Sequence, residues 1–467
     1  MLIGKVLSDV QLSEVRDASE EILERTGCRV LDAQALALCR KAGARVEDAN
    51  GTVRIPRSLL RELVARAPSR FKATGVDGVT REIGGGRQWG MAITNDPWII
   101  DYESREPRRP RTEDIRRNTI VAQSLDRIAG MSCMDFPVSD APAAHANLRA
   151  LEVHLLHHAK HNFVYPASVA SLQRWLKIGA ILARGGELRA SGLFSVGVAA
   201  LTPLTVTDMN VEFVRICCDH GFAIVPTVCP TAGMTSPYTL AGTLALANAE
   251  ALFLLALIQI HRPGHPFLYA LGPAVANMQN GACLYYTLDK VLWKAASVEL
   301  GKSYGLPVTA ECGGTMVHRF DQQSGAEGML FMLAAVASGA DCLAGFGSTH
   351  NAVGHSTEMM LIQEAYWRAA EFLRRGIRTD GERRGAESAA RVGPGGEYMT
   401  DPLTLEHLRG DEFFSDELFD HDGDSAHSRS MLERAHAKVQ ALVEGFPSPV
   451  PDSVREELQA FFRQETR

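Results

Sequence analysis

Three titratable side chains stand at or just beyond short apolar runs in the middle of the sequence. Asp135 and Glu311 end two of these runs, and His350 follows a third. A carboxylate and an imidazole in such positions can serve as the acid and base of a lyase or a hydrolase. The other residues at the ends of the runs are mostly uncharged, whereas a hydrolase or a metal enzyme usually needs several converging carboxylates or imidazoles. The sequence therefore favours a reaction that needs few charged groups.

Aromatic rings stand near the ends of the same runs, although only 7% of the residues are aromatic. They are Trp98, Tyr102, Phe136, Tyr165, Tyr269 and Phe346. A cage of rings with a carboxylate nearby binds a quaternary ammonium, which cannot donate hydrogen bonds. The alternative is that the rings cap the hydrophobic core. Two or three rings are sufficient for a cage, so both interpretations stay open.

Four histidines, His154, His157, His158 and His161, follow one another at helical spacing. On one face of a helix they could ligate a metal ion. No carboxylate follows at ligand spacing, and the helix is predicted on the outside of the fold. A polar packing face is therefore favoured over a metal site, and no bound metal is predicted.

Short apolar runs alternate with helical stretches along the middle of the chain, which is typical of parallel strands joined by helices. The predicted strands cover residues 129–136, 162–167, 193–200, 223–228, 266–271, 307–311 and 341–346. The predicted helices cover residues 142–160, 170–184, 207–220, 238–262, 281–304, 322–338 and 356–376. With one more strand before residue 129, these units predict a (β/α)8 TIM barrel. An open doubly wound sheet is the alternative.

The rest of the chain predicts additions to a barrel of residues 86–378. Residues 1–85 predict a mostly helical N-terminal segment packed on the barrel, with helical spacing over 13–38 and 56–67. Residues 379–400 are polar and rich in glycine, which predicts a linker or loop. Residues 401–467 predict C-terminal helices over 403–418, 430–445 and 452–464.

Composition excludes several classes of partner. The 467 residues are 46% hydrophobic, and 48 Lys and Arg against 55 Asp and Glu give no basic surface for nucleic acid. No uninterrupted run of 18 apolar residues predicts a membrane span, and the N-terminus does not resemble a signal peptide. Nine scattered cysteines are typical of reduced thiols. We therefore predict a cytoplasmic protein without a nucleic-acid or membrane partner.

Long ordered segments of the sequence resemble the trimethylamine methyltransferase family of corrinoid-dependent enzymes, in particular its branch that lacks pyrrolysine. The resemblance spans nearly the whole chain. It is carried by EILERTGCRVLDAQALALCRKAGARVEDANGTVRIPRSLL (21–60), CPTAGMTSPYTLAGTLALANAEALF (229–253), YGLPVTAECGGT (304–315), DQQSGAEGM (321–329), ASGADCLAGFGS (337–348) and EHLRGDEFFSDELFD (406–420).

The resemblance implies a (β/α)8 barrel that passes a methyl group from a methylated amine to Co(I) of a corrinoid (cobalamin) supplied by a partner protein, with no cofactor bound in the chain itself. The branch without pyrrolysine implies a quaternary, betaine-like substrate. The rings Tyr102, Phe136, Tyr165, Tyr269 and Phe346 are then expected around the ammonium, with Glu311 or Asp135 compensating its charge. His350 is expected at the carboxylate end of the substrate. A homo-oligomer is also expected.

Two other functions fit the residues. One is a TIM-barrel lyase or hydrolase that uses Glu311 and His350, and the other is a barrel that binds methylated cations without altering them. The role of Glu311 also has a plain alternative, which is a structural ion pair with a neighbouring lysine or arginine of the barrel.

Overall fold

One parallel sheet of seven strands forms the centre of the fold in the computed structural model, which describes residues 4–421, 423 and 428–466. All neighbouring pairs in the sheet are parallel. In order across the sheet the strands are Ala223–Thr227, Phe194–Ala199, His161–Val164, Ile128–Cys133, Trp89–Asn95, Cys342–Phe346 and Thr309–Glu311. Their residues are almost all buried, as expected for parallel strands covered on both faces.

The two edge strands of this sheet reach the same stretch of chain. Phe267 forms a parallel bridge with Ile224 at one edge, and Tyr269 forms a parallel bridge with Val308 at the other. The N–H of Leu268 donates to the carbonyl of Ile224 at 2.9 Å. The sheet therefore curls so strongly that both of its edges pair with residues 267–269, which follow helix Leu240–His261.

Helices alternate with the strands along the chain. They are Thr112–Ser124, Ala146–His157, Val169–Leu182, Asp208–His220, Leu240–His261, Leu288–Ser303, Gln322–Ala337 and Thr357–Arg375. Several begin at side-chain caps, for example Thr207 and Ser356, whose oxygens accept from the backbone of the first turn. The predicted α/β architecture, with a parallel sheet and helices between its strands, is confirmed.

Helix Leu240–His261 is apolar on all sides because it packs inside the protein. Among the described residues it is the helix whose length and composition would suit a membrane span, and 89% of its most apolar stretch is buried. The N-terminal helices Asp9–Glu21 and Arg57–Ala65 pack against it. It is a core helix of the fold.

The N-terminal segment contains strands as well as helices. Its helices are Asp9–Glu21, Ala33–Lys41 and Arg57–Ala65, and its strands are Cys28–Val30, Arg45–Glu47, Thr52–Arg54, Phe71–Thr74 and Thr80–Ile83. The helical spacing over 13–38 does not give one helix, because Gly27 has a φ of 78° and ends the first helical stretch. The next residues pair with Thr52–Arg54 and with Thr205–Val206, which outweighs their helical pattern.

The C-terminal segment is more irregular than predicted. Its helices are Pro402–His407, Met431–Val443 and Asp452–Glu465, so the helix predicted over 403–418 forms only at its start. The polar stretch predicted as a linker contains a 3-10 turn, Gly381–Arg384, and a helix, Ala386–Val392. Asp401 accepts hydrogen bonds from Ser388 and from the N–H of Leu403, which ties this helix to the next one.

One continuous cluster of buried apolar side chains joins the parts of the chain. It includes Leu23 from the N-terminal segment, Val196 from the sheet, and Leu458 and Phe462 from the last helix. The division into four parts stays a prediction, and residues 1–3, 422, 424–427 and 467 lie outside the described part of its first and last members.

The four histidines do not share a helix face. The helix ends at His157, and His161 lies in the next strand, because the chain turns into the sheet after His158. His154 bonds Thr94, His158 bonds Asn162 and His161 bonds Ser195. Burial lowers the pKa of His158 and of His161 to about 4. The prediction of one polar helix face is therefore wrong, although His154, His158 and His161 do pack in the interior through hydrogen bonds.

Candidate active site

A cavity of about 520 Å³ extends from the interior of the sheet to the carboxyl ends of its strands. This is where parallel strands present functional residues. The size is suited to a small ligand. Its walls include Met91, Asp96, Phe163, Tyr165, Val225, Cys229, Tyr285, Tyr286, Lys294 and Glu311.

Two lysines and one glutamate form an ion-pair cluster at this wall, to which Lys294 and Glu311 contribute directly. Lys290 and Lys294 lie one turn apart on helix Leu288–Ser303 and so share a face. The Nζ atoms of Lys294 and Lys290 lie 2.6 Å and 3.3 Å from Oε2 of Glu311. The lysine side chains are 4% and 0% exposed, and the glutamate is 21% exposed. The hydroxyl of Tyr285 donates a hydrogen bond to the other oxygen of Glu311.

The lysines determine the charge of the glutamate. Burial raises the pKa of Glu311, but the ammonium groups of Lys290 and Lys294 outweigh it and lower this pKa to about 2. Burial lowers the pKa of Lys290 to about 7, against the attraction of Glu311. A carboxylate with so low a pKa is a weak base. Glu311 therefore supplies a fixed negative charge and is poorly suited to accept a proton.

A second carboxylate, Asp96, faces the same cavity from a different environment. It directly follows strand Trp89–Asn95 and is 4% exposed. Its Oδ2 has no hydrogen-bond partner among the described residues. Burial raises the pKa of this carboxyl well above its usual range. A buried polar group without partners is costly, so its position indicates a ligand-binding role.

Aromatic rings complete the wall. Phe163, Tyr165, Tyr285 and Tyr286 all line the cavity. Tyr286 lies against the backbone of Gly314, where a Cβ would come within 2.1 Å of the ring. Tyr165 likewise covers Gly197, where a Cβ would come within 2.3 Å. The absence of side chains at these two glycines allows the rings to occupy their positions.

A strained turn holds one side of the cavity mouth. His350, Asn351 and Ala352 have φ values of 50°, 55° and 64°, in the left-handed region that residues other than glycine rarely adopt. The side chain of Asn351 accepts a hydrogen bond from the N–H of Tyr285 at 2.7 Å and donates one to the carbonyl of Cys283 at 2.8 Å. The strained turn thus positions Tyr285, which in turn contacts Glu311.

The structure brings two of the predicted site residues, Glu311 and Tyr165, to the cavity. His350 belongs to the strained turn at the mouth, but its ring packs on His318 with 5.2 Å between the centroids, and neighbouring residues line the cavity instead. Asp135 lies behind Tyr165 and accepts hydrogen bonds from Asn147 and Ser171.

The other predicted rings lie away from the cavity. Tyr102 stacks on His436 with 3.5 Å between the centroids. The hydroxyl of buried Tyr269 donates to Asn248 at 2.7 Å, and Phe346 packs on Trp367. Phe136 follows a sheet strand, and its carbonyl accepts from the side chain of Asn95. None of these four rings is among the residues that line the cavity, so they are not brought together as one cage.

Sequence reasoning misses Asp96, Lys290, Lys294 and the pair Tyr285 and Tyr286. Asp96 ends a stretch from Trp89 in which large apolar residues alternate with smaller ones, as in a strand. The sequence predicts a strand before residue 129 but gives no bounds for it. The two lysines stand at i and i+4, so the sequence places them on one face of a helix, but it does not show that this face is buried.

Comparison with known proteins places the whole chain in one family. The family described as trimethylamine methyltransferase (MTTB) matches residues 3–467. The chain is similar to a trimethylamine methyltransferase MttB of Desulfitobacterium hafniense (strain DSM 10664 / DCB-2), with 24% identity over 98% of this chain and 93% of the relative. It is similar to a glycine betaine methyltransferase of Desulfitobacterium hafniense (strain Y51), with 25% identity over 98% of this chain and 96% of the relative.

Among solved structures, a monomethylamine methyltransferase (MtmB) of Methanosarcina barkeri matches 93% of this chain and 94% of its own, with a TM-score of 0.47 and 13% identity. That likeness is too low to carry an argument. The family match over residues 3–467 confirms the prediction of a methyltransferase. The chain belongs to the trimethylamine methyltransferase family.

Proposed function

We propose that the protein transfers one methyl group from a quaternary ammonium compound of the betaine type to Co(I) of a corrinoid held by a separate protein. The observation that carries this proposal is one cavity lined by Asp96, Lys294 and Glu311. Asp96 is a buried carboxylate whose Oδ2 has no partner among the described residues, whereas Glu311 pairs with Lys294 and with Lys290 behind the wall. Membership of the family supports the class of reaction. The similarity to a glycine betaine methyltransferase supports the class of substrate.

Asp96 is suited to the cationic end of such a substrate. A quaternary ammonium has no N–H, so it interacts with a carboxylate through charge and with aromatic rings through their faces. Asp96 has an oxygen that no described residue satisfies, and Tyr165 and Tyr286 line the same cavity. A bound cation favours the ionised carboxylate, so binding the substrate releases the proton that burial holds on Asp96.

The lysine cluster is suited to the anionic end. Lys290 and Lys294 face one carboxylate, so the cluster has capacity for a second anion. Lys294 lines the cavity, whereas Lys290 lies behind it over the ring of Tyr285. Strand Trp89–Asn95 and strand Thr309–Glu311 are separated by one strand, which puts the two ends of the cavity about 10 Å apart along the wall. A zwitterion fits this separation of charge better than a simple cation.

The reaction needs little from the side chains. The bond from the methyl carbon to cobalt forms as the bond to nitrogen breaks, and the electron pair of the broken bond stays on nitrogen. A quaternary ammonium then leaves as a neutral amine, so this step requires no general acid or base. The protein has to hold the cation, exclude water and direct one methyl group towards the mouth.

The proposed scaffold is a closed (β/α)8 barrel in which segment 266–271 is the eighth strand. The two parallel bridges of Phe267 and Tyr269 support this. A cytoplasmic location is proposed with it, supported by nine cysteines that all stand as free thiols. Assembly with further copies of the chain stays a prediction.

Substrate comparison with reduced cobalamin tests the proposal. Glycine betaine, choline and trimethylamine are each supplied with Co(I) cobalamin, and methyl–cobalt formation is followed by absorbance. Glycine betaine is expected to react fastest, because choline lacks the carboxylate and trimethylamine lacks the quaternary nitrogen. Faster reaction of trimethylamine would overturn the substrate class, and no methyl–cobalt product from any methylated amine would overturn the reaction itself.

A further inference from the structure

Two loops on one side of the cavity mouth contain no charged residue. Residues 229–242 and residues 271–288 have no Asp, Glu, Lys or Arg, although 22% of the chain is charged. Charged residues are depleted at the centres of protein interfaces, where aromatic residues and Met are enriched. The composition of these loops is that of an interface and differs from that of an ordinary solvated surface.

The loops also expose large apolar side chains. Met234 is 58% exposed, Tyr238 is 64% exposed and Met278 is 63% exposed. These three residues are called the uncharged rim below. Three further exposed side chains flank it on the adjoining helices, namely Leu240, Leu288 and Leu292. Clustered exposure of this kind marks an interaction site, whereas single exposed apolar residues are common.

The uncharged rim is one surface. Strand Thr231–Ala232 of the first loop pairs with Ala274–Ala276 of the second, which pairs in turn with Cys283–Leu284. A Cβ on Gly233 would lie 2.8 Å from the ring of Tyr238 and 2.9 Å from the sulfur of Met278. The two exposed side chains therefore meet over Gly233, on a small sheet that fixes the backbone of both loops.

This surface is continuous with the cavity. Cys229, Gly272, Cys283 and Tyr285 belong to the same two loops and line the cavity wall. A molecule that rests on the uncharged rim therefore covers the mouth.

The loop that follows strand Trp89–Asn95, which carries Asp96, is of a different kind. Arg108 pairs there with Asp101 at 2.8 Å and with Asp114 at 2.6 Å. Those charges are satisfied within the chain, so this loop has less need of a partner.

We propose that the uncharged rim docks the protein that carries the corrinoid acceptor. This rests on the proposed function. A corrinoid is a macrocycle with side chains on every ring, so it cannot share a cavity of about 520 Å³ with the substrate. It has to meet the methyl group at the mouth, and its carrier then contacts the rim of that mouth.

A second copy of the chain is a less suitable occupant. The acceptor has to arrive and leave in every turnover, and a permanent partner seated over the mouth would prevent this exchange. The flexible side chains of Met234 and Met278 suit a contact that forms and separates repeatedly.

Two acceptors distinguish docking from chemistry. Methyl transfer is measured with a purified corrinoid protein that accepts the methyl group from the unchanged enzyme, and separately with free Co(I) cobalamin. The variants are Met278→Glu and Tyr238→Glu. The matched control is Phe413→Glu, at a residue that is 83% exposed in the C-terminal segment.

The expected result is a fall of at least tenfold in kcat/KM with the corrinoid protein and a change of less than twofold with free cobalamin. The control is expected to change neither value. Equal losses with both acceptors, or no loss with the corrinoid protein, would overturn the docking surface while leaving the proposed function intact. A dimer of the unchanged enzyme that Met278→Glu separates on sedimentation would assign the rim to a second copy and overturn it as well. A failure of the unchanged enzyme with both acceptors would instead overturn the proposed function.

Discussion

Asp96 and Glu311 are two carboxylates, the first buried and the second partly exposed, that face one cavity from opposite electrostatic environments. Glu311 has two lysines within 3.3 Å and accepts a hydrogen bond from Tyr285. Asp96 forms no ion pair with a described residue, and its Oδ2 has no partner among them. Burial acts on both groups, yet the pKa of Glu311 falls to about 2 while that of Asp96 rises well above its usual range.

This electrostatic difference indicates that Glu311 stabilises the fold, whereas Asp96 is available to a ligand. The charge of Glu311 is already compensated by two lysines of the fold. Removing it is therefore expected to lower the free energy of unfolding more than the affinity for a ligand. The charge of Asp96 is compensated by no residue that the structure describes, so removing it is expected to cost the fold little and to weaken the binding of a cationic ligand strongly. The two groups should therefore respond to substitution in opposite ways.

Glu311→Gln is expected to have the largest effect, a loss of about 3–5 kcal/mol in the free energy of unfolding, because it leaves two lysines buried without a counter-charge. Denaturant unfolding measures this. Adding Lys290→Met should recover part of the loss, since it removes one of the stranded charges. A single variant as stable as the unchanged protein would mean that the lysines are compensated elsewhere.

Acid should have the same effect as this substitution. The pKa of Glu311 is about 2 in the folded protein against an ordinary 4.5. Its contribution to stability is therefore complete above about pH 4.5 and is lost as the pH falls towards 2. Between these pH values, the free energy of unfolding should fall more steeply with decreasing pH in the unchanged protein than in Glu311→Gln. Denaturant unfolding at several pH values measures this.

Asp96→Asn is expected to weaken the binding of glycine betaine about 10- to 100-fold, which is about 1.4–2.8 kcal/mol, without lowering stability. Titration calorimetry measures the affinity, and thermal unfolding measures the stability. Unchanged affinity would place the cation elsewhere in the cavity. A large loss of stability would show that Asp96 belongs to the fold as Glu311 does.

The pH dependence of binding sharpens this prediction. Burial raises the pKa of Asp96, so the folded protein holds a proton there that the unfolded chain has already lost. This carboxyl accordingly lowers stability as the pH rises from its ordinary pKa of 3.8 towards the raised one, and Asp96→Asn removes that decline. Binding of the cation should release the proton, so affinity should increase with pH in the unchanged protein and not in the variant.

The sequence predicted the scaffold better than the site, for a physical reason. Strand and helix periodicity depends on burial along each segment, so the runs ending at Glu311 and Phe346 were found close to their observed bounds. Which side chains meet across the curled sheet depends on how strands from distant parts of the chain pack around one another. Tyr165 lines the cavity, whereas Tyr269 donates a hydrogen bond to Asn248 that no local pattern indicates.

Lysine residues illustrate the same limit. A charged residue on a helix is normally solvated, so the sequence alone does not indicate that Lys290 and Lys294 are buried on helix Leu288–Ser303. Only the three-dimensional structure brings them to Glu311. The alternative of a structural ion pair for Glu311 agrees with these contacts, although the specific lysines were not foreseen.

Lys294→Met should change selectivity more than stability. Glu311 keeps Lys290 and Tyr285 in this variant, so the buried carboxylate stays compensated. Affinity for glycine betaine is expected to fall about tenfold, or about 1.4 kcal/mol, while affinity for choline changes less than twofold. Calorimetry with both ligands provides the comparison. Equal losses for the two ligands would mean that Lys294 serves Glu311 alone and contacts no substrate carboxylate.

Tyr102→Ala is expected to have the smallest effect on catalysis. The ring stacks on His436, and the guanidinium of Arg105 lies 4.1 Å from its centroid, so its contacts tie a loop to the C-terminal helix Met431–Val443. Losing this stack should cost about 0.5–1.5 kcal/mol of stability and leave kcat/KM within twofold. Tyr165→Ala is the matched comparison, because that ring faces the cavity, and its kcat/KM should fall at least tenfold. A comparable fall for Tyr102→Ala would place its loop over the substrate during turnover, and the ammonium would then be held by rings from outside the cavity wall as well as from within it.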